Sequence, residues 1–207
     1  MHFDNIDYSH KYLENVLSII RQGILQRNGM LNKDKREVLN SQSLVEVFNV
    51  IGTTKVLCTT WIGAQKEHER EDIKGKEDIY FHLNDDSYTR IFYVEAKRLP
   101  KHQSKSEEEY IIGRSSTGNP SGGIQRYKLG IHGDYNLRHN GIIAYVENKT
   151  IDEWLLKINR KISNEYPDDS VMGSTGFENE YISRHRYLNR EGYFSMHHFW
   201  INLIGNQ

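Results

Sequence analysis

Apolar residues recur at helical spacing through the first part of the chain. Ile6, Tyr12, Leu13, Val16, Leu17, Ile19, Ile20, Ile24 and Leu25 predict one amphipathic helix over 6–25, closed by Asn28-Gly29. A charged stretch from Asn32 to Glu37 leads into a second predicted helix over 38–51, with Leu44, Val45, Phe48 and Ile51 as its buried stripe. After Gly52 the pattern turns β-branched and aromatic, which predicts a strand over 55–62. Residues 65–76 are almost wholly charged and read as an exposed loop. Two strands, 78–83 and 90–99, flank the turn-forming Asn84-Asp85-Asp86-Ser87. A loop rich in Gly, Ser and Thr fills 113–123, and a short helix starts near Ser121 with Ile124, Gln125, Tyr127 and Leu129. The unbroken apolar run 141–146 predicts a strand buried on both faces. A helix over 151–166 is stopped by Pro167-Asp168-Asp169, and two final strands, 181–187 and 194–204, surround Asn189-Arg190-Glu191-Gly192. Helices and strands in this order predict an α/β fold, a mixed central sheet flanked by helices. One domain over 1–207 is expected: N-terminal helices to 52, a core over 53–147, and a C-terminal helix with strands over 148–207.

Composition, charge and the remaining motifs then narrow the picture. Hydrophobic residues are 37% and charged residues 27%, which describes a globular rather than a disordered chain. No apolar run approaches the roughly 20 residues of a membrane-spanning helix, and the N-terminus lacks the pattern of a signal peptide, so a cytoplasmic protein without membrane contact is expected. The single cysteine, Cys58, excludes an internal disulfide and a thiolate-based zinc site. The net charge of −1 argues against coating nucleic acid through bulk charge. Lys97, Arg98, Lys101, Lys105, Arg114, Arg126, Lys128 and Arg138 nevertheless outnumber the acids between 97 and 138, which fits either a local basic groove or a solvated face. The glycine loop is not followed by Lys-Ser/Thr, so it is not a nucleoside-triphosphate loop.

The chemistry lies in the predicted hairpin. A turn centred on Asp86 and Ser87 pairs residues whose numbers sum to about 173, by the pairing rule of antiparallel strands. Ile79 then faces Val94 and Phe81 faces Phe92 on one side of the sheet. The same register brings Asp78 opposite Glu95 on the other side, with opposed Cβ atoms about 4.5–5.5 Å apart. Lys97, two residues on, shares that side. Two opposed carboxylates are destabilising unless compensated, and a divalent cation compensates them while keeping sites for water and phosphate oxygens.

These residues, with the apolar run Phe92-Tyr93-Val94 before Glu95-Ala96-Lys97, resemble the PD-(D/E)xK nuclease superfamily over roughly 38–147. The resemblance implies a restriction-endonuclease-like core and a nuclease that hydrolyses DNA, less readily RNA, with Mg²⁺ or Mn²⁺. Its setting would be restriction, phage defence or DNA repair, and the enzyme could work as a homodimer or in a larger complex. Asp78 and Glu95 would bind the metal with Glu46 of the preceding helix, and Lys97 would serve the nucleophile or transition state. Gln125 resembles the glutamine of the following helix. Arg98, Lys101, Arg114, Arg126 and Lys128 would contact nucleic acid. Glu77 stands where the family often has proline, and Gln125 and Tyr127 are two apart rather than four, so no subfamily is assigned.

Two other acid-x-Lys triplets exist, Asp72-Ile73-Lys74 in the charged segment and Glu147-Asn148-Lys149 at a strand end; neither has a facing aspartate. His68, His82, His102, His132, His185, His197 and His198 show no metal-ligand spacing, and His197 and His198 should point to opposite faces. Trp61, Trp154 and Trp200 are expected in the core. The alternative function is a catalytically inactive or partner-dependent nucleic-acid-binding or scaffold subunit with the same fold.

Overall fold

A computed structural model describes residues 8–54, 61–66, 78–100 and 106–205, with side chains from Lys11 in the first helix and from Glu109 in the third. Helix α1 (Tyr8–Arg27) turns Leu13, Val16, Leu17 and Ile20 inward, and α2 (Glu37–Gly52) does the same with Leu44, Phe48 and Ile51. The two helices pack tightly at Gly23, where a Cβ would lie 2.5 Å from the Phe48 ring, so a larger residue there would force that ring or the helix to shift. No helix among the described residues is long and apolar enough to cross a membrane.

Seven strands form one sheet: β1 (Ile62–Lys66), β2 (Ile79–Leu83), β3 (Arg90–Leu99), β4 (His139–Val146), β5 (Gly173–Ser174), β6 (Glu180–Arg186) and β7 (Tyr193–Asn202). Their order is β1-β2-β3-β4-β7-β6-β5. β3, β4 and β7 run parallel and the remaining pairs antiparallel, so the sheet is mixed. Parallel neighbours need long crossovers. Helices α3 (Ser106–Ile111) and α4 (Gly123–Lys128) lie in the first, and α5 (Ile151–Glu165) in the second. Helices α1 and α2 cover one face over Phe81, Phe92, Ile143 and Phe199. Helices α3 to α5 cover the other over Tyr93, Ile142, Met196 and Trp200. This is the α/β arrangement that the element order predicts.

The hairpin register agrees with the sequence reading at Ile79↔Val94 and Phe81↔Phe92, and shifts by one at His82↔Arg90. Strand β4 is buried on both faces because parallel strands and helices enclose it. Several expectations need correction. Residues 55–60 of the predicted strand lie outside the described residues, and the described strand β1 occupies Ile62–Lys66, taking in Gln65, expected to open the exposed loop. Helix α3 is unanticipated, since Glu107-Glu108-Glu109 masks the two buried residues, Tyr110 and Ile111, that anchor it. Trp154 and Trp200 are buried, but Trp61 is 52% exposed at the mouth of β1. The C-terminal segment supplies a strand to the middle of the sheet, where β7 lies beside β4.

His197 and His198 point to opposite faces. His197 packs against the Phe92 ring, with its Nε2 3.1 Å from His139 Nδ1. Burial, reinforced by His139 and Arg21, holds its imidazolium form down to about 3. Below the ordinary value of 6.5 the unfolded chain therefore takes up a proton that the folded chain refuses, and stability falls as pH drops from 6.5 toward 3. The His197 share is roughly 2 kcal/mol at pH 5. His197→Gln, which cannot charge, should flatten the difference between urea unfolding at pH 7.5 and pH 5. An unchanged difference would show that His197 does not carry this acid sensitivity.

Candidate active site

The middle of β3 carries Glu95 and Lys97 on the face covered by α3 to α5. Glu95 is only 2% exposed, and a carboxylate so buried requires partners. Lys97 Nζ lies 2.5 Å from its Oε1, Arg126 Nη1 of α4 lies 3.4 Å from the same oxygen, and His132 Nδ1 lies 3.0 Å from Oε2. Burial pushes the Glu95 carboxyl up, but Lys97, His132 and Arg126 outweigh it and hold it well below the usual carboxylate range. The same balance works on Lys97: burial disfavours its ammonium, and Glu95 and Asp78 more than restore it.

Asp78 precedes β2 by one residue. Its Oδ2 accepts the backbone N–H of Ala96 at 2.7 Å, so the carboxylate is stitched to β3 between Glu95 and Lys97. Burial and the nearby Glu95 push its carboxyl well up, against the pull of Lys97 and the Ala96 N–H. One acid is thus held ionised and its neighbour is driven toward the neutral form, the divergence typical of reactive carboxylate pairs.

A third acid acts on this cluster, but it is not Glu46. Glu46 is exposed, and its hydrogen bond is to Gln42 on the same helix. Glu37, in the first turn of α2, is close enough to act electrostatically on Asp78, Lys97 and Arg98. Nine residues at 100° each put Glu46 about half a turn away from Glu37 around the helix. Leu44 and Phe48, seven and eleven residues on, return to within about 20° of Glu37, so extending the apolar stripe back to the first turn of the helix would have found it.

The other expected residues disperse. Gln125 sits at the third position of α4, where its Oε1 accepts the N–H of Gly113 at 3.2 Å and of Gly122 at 3.4 Å, so its carbonyl closes the 113–122 loop. Arg114 is exposed on that loop and bonds Gly118 O. Arg98 points to the opposite face of β3, paired twice with Glu147 at 2.5 and 2.8 Å. That pairing explains Glu147, the rival strand-end acid, as a structural partner. Lys101, Asp72 and Lys74 lie outside the described residues, as do His68 and His102.

Lys128 needs the largest correction. Two residues after Arg126 on α4, it faces away from Glu95 and is 2% exposed. Its Nζ lies 2.5 Å from Asp169 Oδ2, which also takes His185 Nδ1 at 2.7 Å. His185 Nε2 meets Ser183 Oγ, which meets His198 Nε2, and His198 Nδ1 meets Tyr110 Oη, each at 2.7 Å. Trp200 Nε1 donates to the same Tyr110 Oη at 3.0 Å. Tryptophan only donates and an ionised aspartate only accepts, so every role along this chain follows with both histidines neutral. Burial lowers His185 and His198, consistent with that assignment. Ser183, His185 and Asp169 share the order of a hydrolytic triad, but Ser183 is buried in the core and has no room for a substrate carbonyl beside it.

Among the described residues no group of three or more His, Cys, Asp and Glu side chains is arranged to hold a metal ion. The two central acids are instead engaged by Lys97, Arg126, His132 and a backbone N–H. No family model matches this chain, and neither does any curated protein or solved structure.

Proposed function

We propose that the chain is a metal-dependent nuclease that hydrolyses phosphodiester bonds, DNA before RNA. The observation that carries this reading is the pair of the half-buried Asp78 and the buried Glu95, flanked by Lys97 at one end of the hairpin. The donor set fits a hard divalent ion: carboxylate oxygens with opposed protonation tendencies, and Glu37 near enough to add charge. Mg²⁺ or Mn²⁺ held by Asp78 and Glu95 would supply charge stabilisation at a scissile phosphate and a more acidic water. The chain's own residues do the rest. Lys97 and Arg126 supply positive charge against phosphate oxygens, and Asp78 is fixed to β3 through Ala96, so the acids are set before substrate arrives. Lys33 and Arg36 line a hollow of about 420 Å³ with Arg98 and would continue the backbone path past the C-terminal ends of β3 and β4.

A second reading, a nucleic-acid-binding or scaffold subunit without catalysis, has one observation in its favour. Glu95 is already balanced by cations of the chain itself. Incubation of the protein with supercoiled plasmid and with single strands, with Mg²⁺, with Mn²⁺ and with EDTA, separates the two. Nicking or linearisation that needs the metal is expected. Retarded migration without cleavage in any metal would replace the nuclease by the binding subunit.

A further inference from the structure

We infer that His132 is the positioning residue of this site, holding Glu95 in the orientation that its chemistry uses. The inference rests on the nuclease reading and adds to it a residue outside the acid-x-Lys hairpin.

Three observations carry it. The two oxygens of Glu95 are divided between partners: Lys97 and Arg126 take Oε1, and His132 stands alone on Oε2. Cations at Oε1 and an imidazole 3.0 Å from Oε2 leave the carboxylate less freedom to turn than contacts at one oxygen alone. The backbone is shaped to deliver the imidazole. Gly130 and Gly133 adopt positive φ on either side of it, at 65° and 76°. The N–H groups of Ile131 and His132 both donate to Arg126 O, at 2.9 and 3.3 Å. The chain after α4 thus folds back, and Arg126 and His132 converge on one carboxylate, with the Tyr127 ring edge-on behind the imidazole at 5.6 Å.

The third observation is a cost. The His132 side chain is 0% exposed, and its Nε2 is buried without a hydrogen-bond partner. Its Nδ1 stands at hydrogen-bond distance from Glu95 while the ring is turned off the ideal line, so that contact is not optimal either. An apolar side chain of similar size would fill this place without the desolvation cost of an unsatisfied nitrogen. Packing alone does not explain a histidine here; its contact with Glu95 does.

The test compares His132→Leu, which removes the donor, with His132→Asn, whose amide nitrogen can stand where Nδ1 stands. Cleavage kinetics in Mg²⁺, calorimetric titration with Mn²⁺ and crystal structures without metal are read together. Loss of an outer partner of a metal-binding carboxylate typically lowers activity or metal affinity about 10–100-fold. His132→Leu should lose that much in kcat with KM little changed, and its Glu95 carboxylate should turn. His132→Asn should recover most of kcat and keep the parent Glu95 orientation. An active parent with an equally active His132→Leu variant overturns the inference and leaves the nuclease standing. A parent that neither cleaves nor binds Mn²⁺ removes the nuclease reading. In that case an unturned Glu95 in His132→Leu also overturns the positioning role, and a turned one upholds it as geometry.

Discussion

Asp78→Asn, Glu95→Gln and Lys97→Met should each lower metal-dependent cleavage by about 100-fold or more, because under the proposed nuclease reading each would remove charge placed directly on metal or phosphate. Their effects on stability should diverge. Burial and Glu95 raise the Asp78 carboxyl, so its ionised form costs the folded state free energy at pH values above 3.8, and that cost is complete above its raised folded value. Asp78→Asn keeps an oxygen for the Ala96 N–H and removes the charge, so without metal it should unfold at higher urea than the parent at pH 7. Glu95 has the opposite sign. Its folded value is depressed, so it contributes stability above 4.5 that is lost as pH falls through the folded value. Glu95→Gln strands Lys97 and Arg126 and should cost about 3 kcal/mol, the usual penalty for removing one partner of a buried pair. Glu147→Gln gives the control: it frees Arg98 on the other face and should leave cleavage intact. Urea unfolding at pH 7 in EDTA, beside plasmid cleavage in Mg²⁺, reads both quantities. Full cleavage by all three central variants would move the site elsewhere, and an undiminished Glu95→Gln stability would show that Glu95 is not the counterion of Lys97.

The second large effect lies in the core. Asp169→Ala should cost about 3–5 kcal/mol, because it leaves the buried Lys128 ammonium without its counterion and His185 Nδ1 without an acceptor. Burial alone would raise the Asp169 carboxyl, but His185, the Arg186 N–H and Lys128 hold it below the ordinary value. Its contribution is therefore present above pH 3.8 and is lost as pH falls through its lowered folded value. Ser183→Ala, which breaks the chain without stranding a charge, should cost less, about 1–3 kcal/mol. Adding Lys128→Met to Asp169→Ala should recover part of the loss, since no ammonium then remains uncompensated. A loss below about 1 kcal/mol in Asp169→Ala would mean that water reaches Lys128 and that the network is not closed.

The hairpin was legible because its information is local. A strand alternates with period two, so pairing Ile79 with Val94 placed Glu95 and Lys97 together on the other face before any tertiary contact was known. The unbroken apolar run of β4 and the capped stretch of α5 were legible for the same reason, each reporting its own burial. Residues from other elements were not. Glu37 and Glu46 lie on opposite sides of one helix, and only the packing of α2 against the sheet brings Glu37 near enough to act on Asp78. Arg126 and Lys128 are two residues apart in a basic run that reads alike along its length, yet α4 turns one to Glu95 and the other to Asp169.

His132 carried no local signal at all. Nothing near it in the chain is acidic except Asp134, and its contact with Glu95 spans 37 positions through a turn set by Gly130 and Gly133. The sequence by itself determined the class of fold, the strands that bear the acids, and the shared face of Glu95 and Lys97, because periodicity and turn residues act between near neighbours. Tertiary structure alone decided which cations reach Glu95, which expected groove residues are core or ion-paired, and how the last strand enters the middle of the sheet. Those choices depend on crossover direction and on how whole faces are buried against one another, which no single segment records.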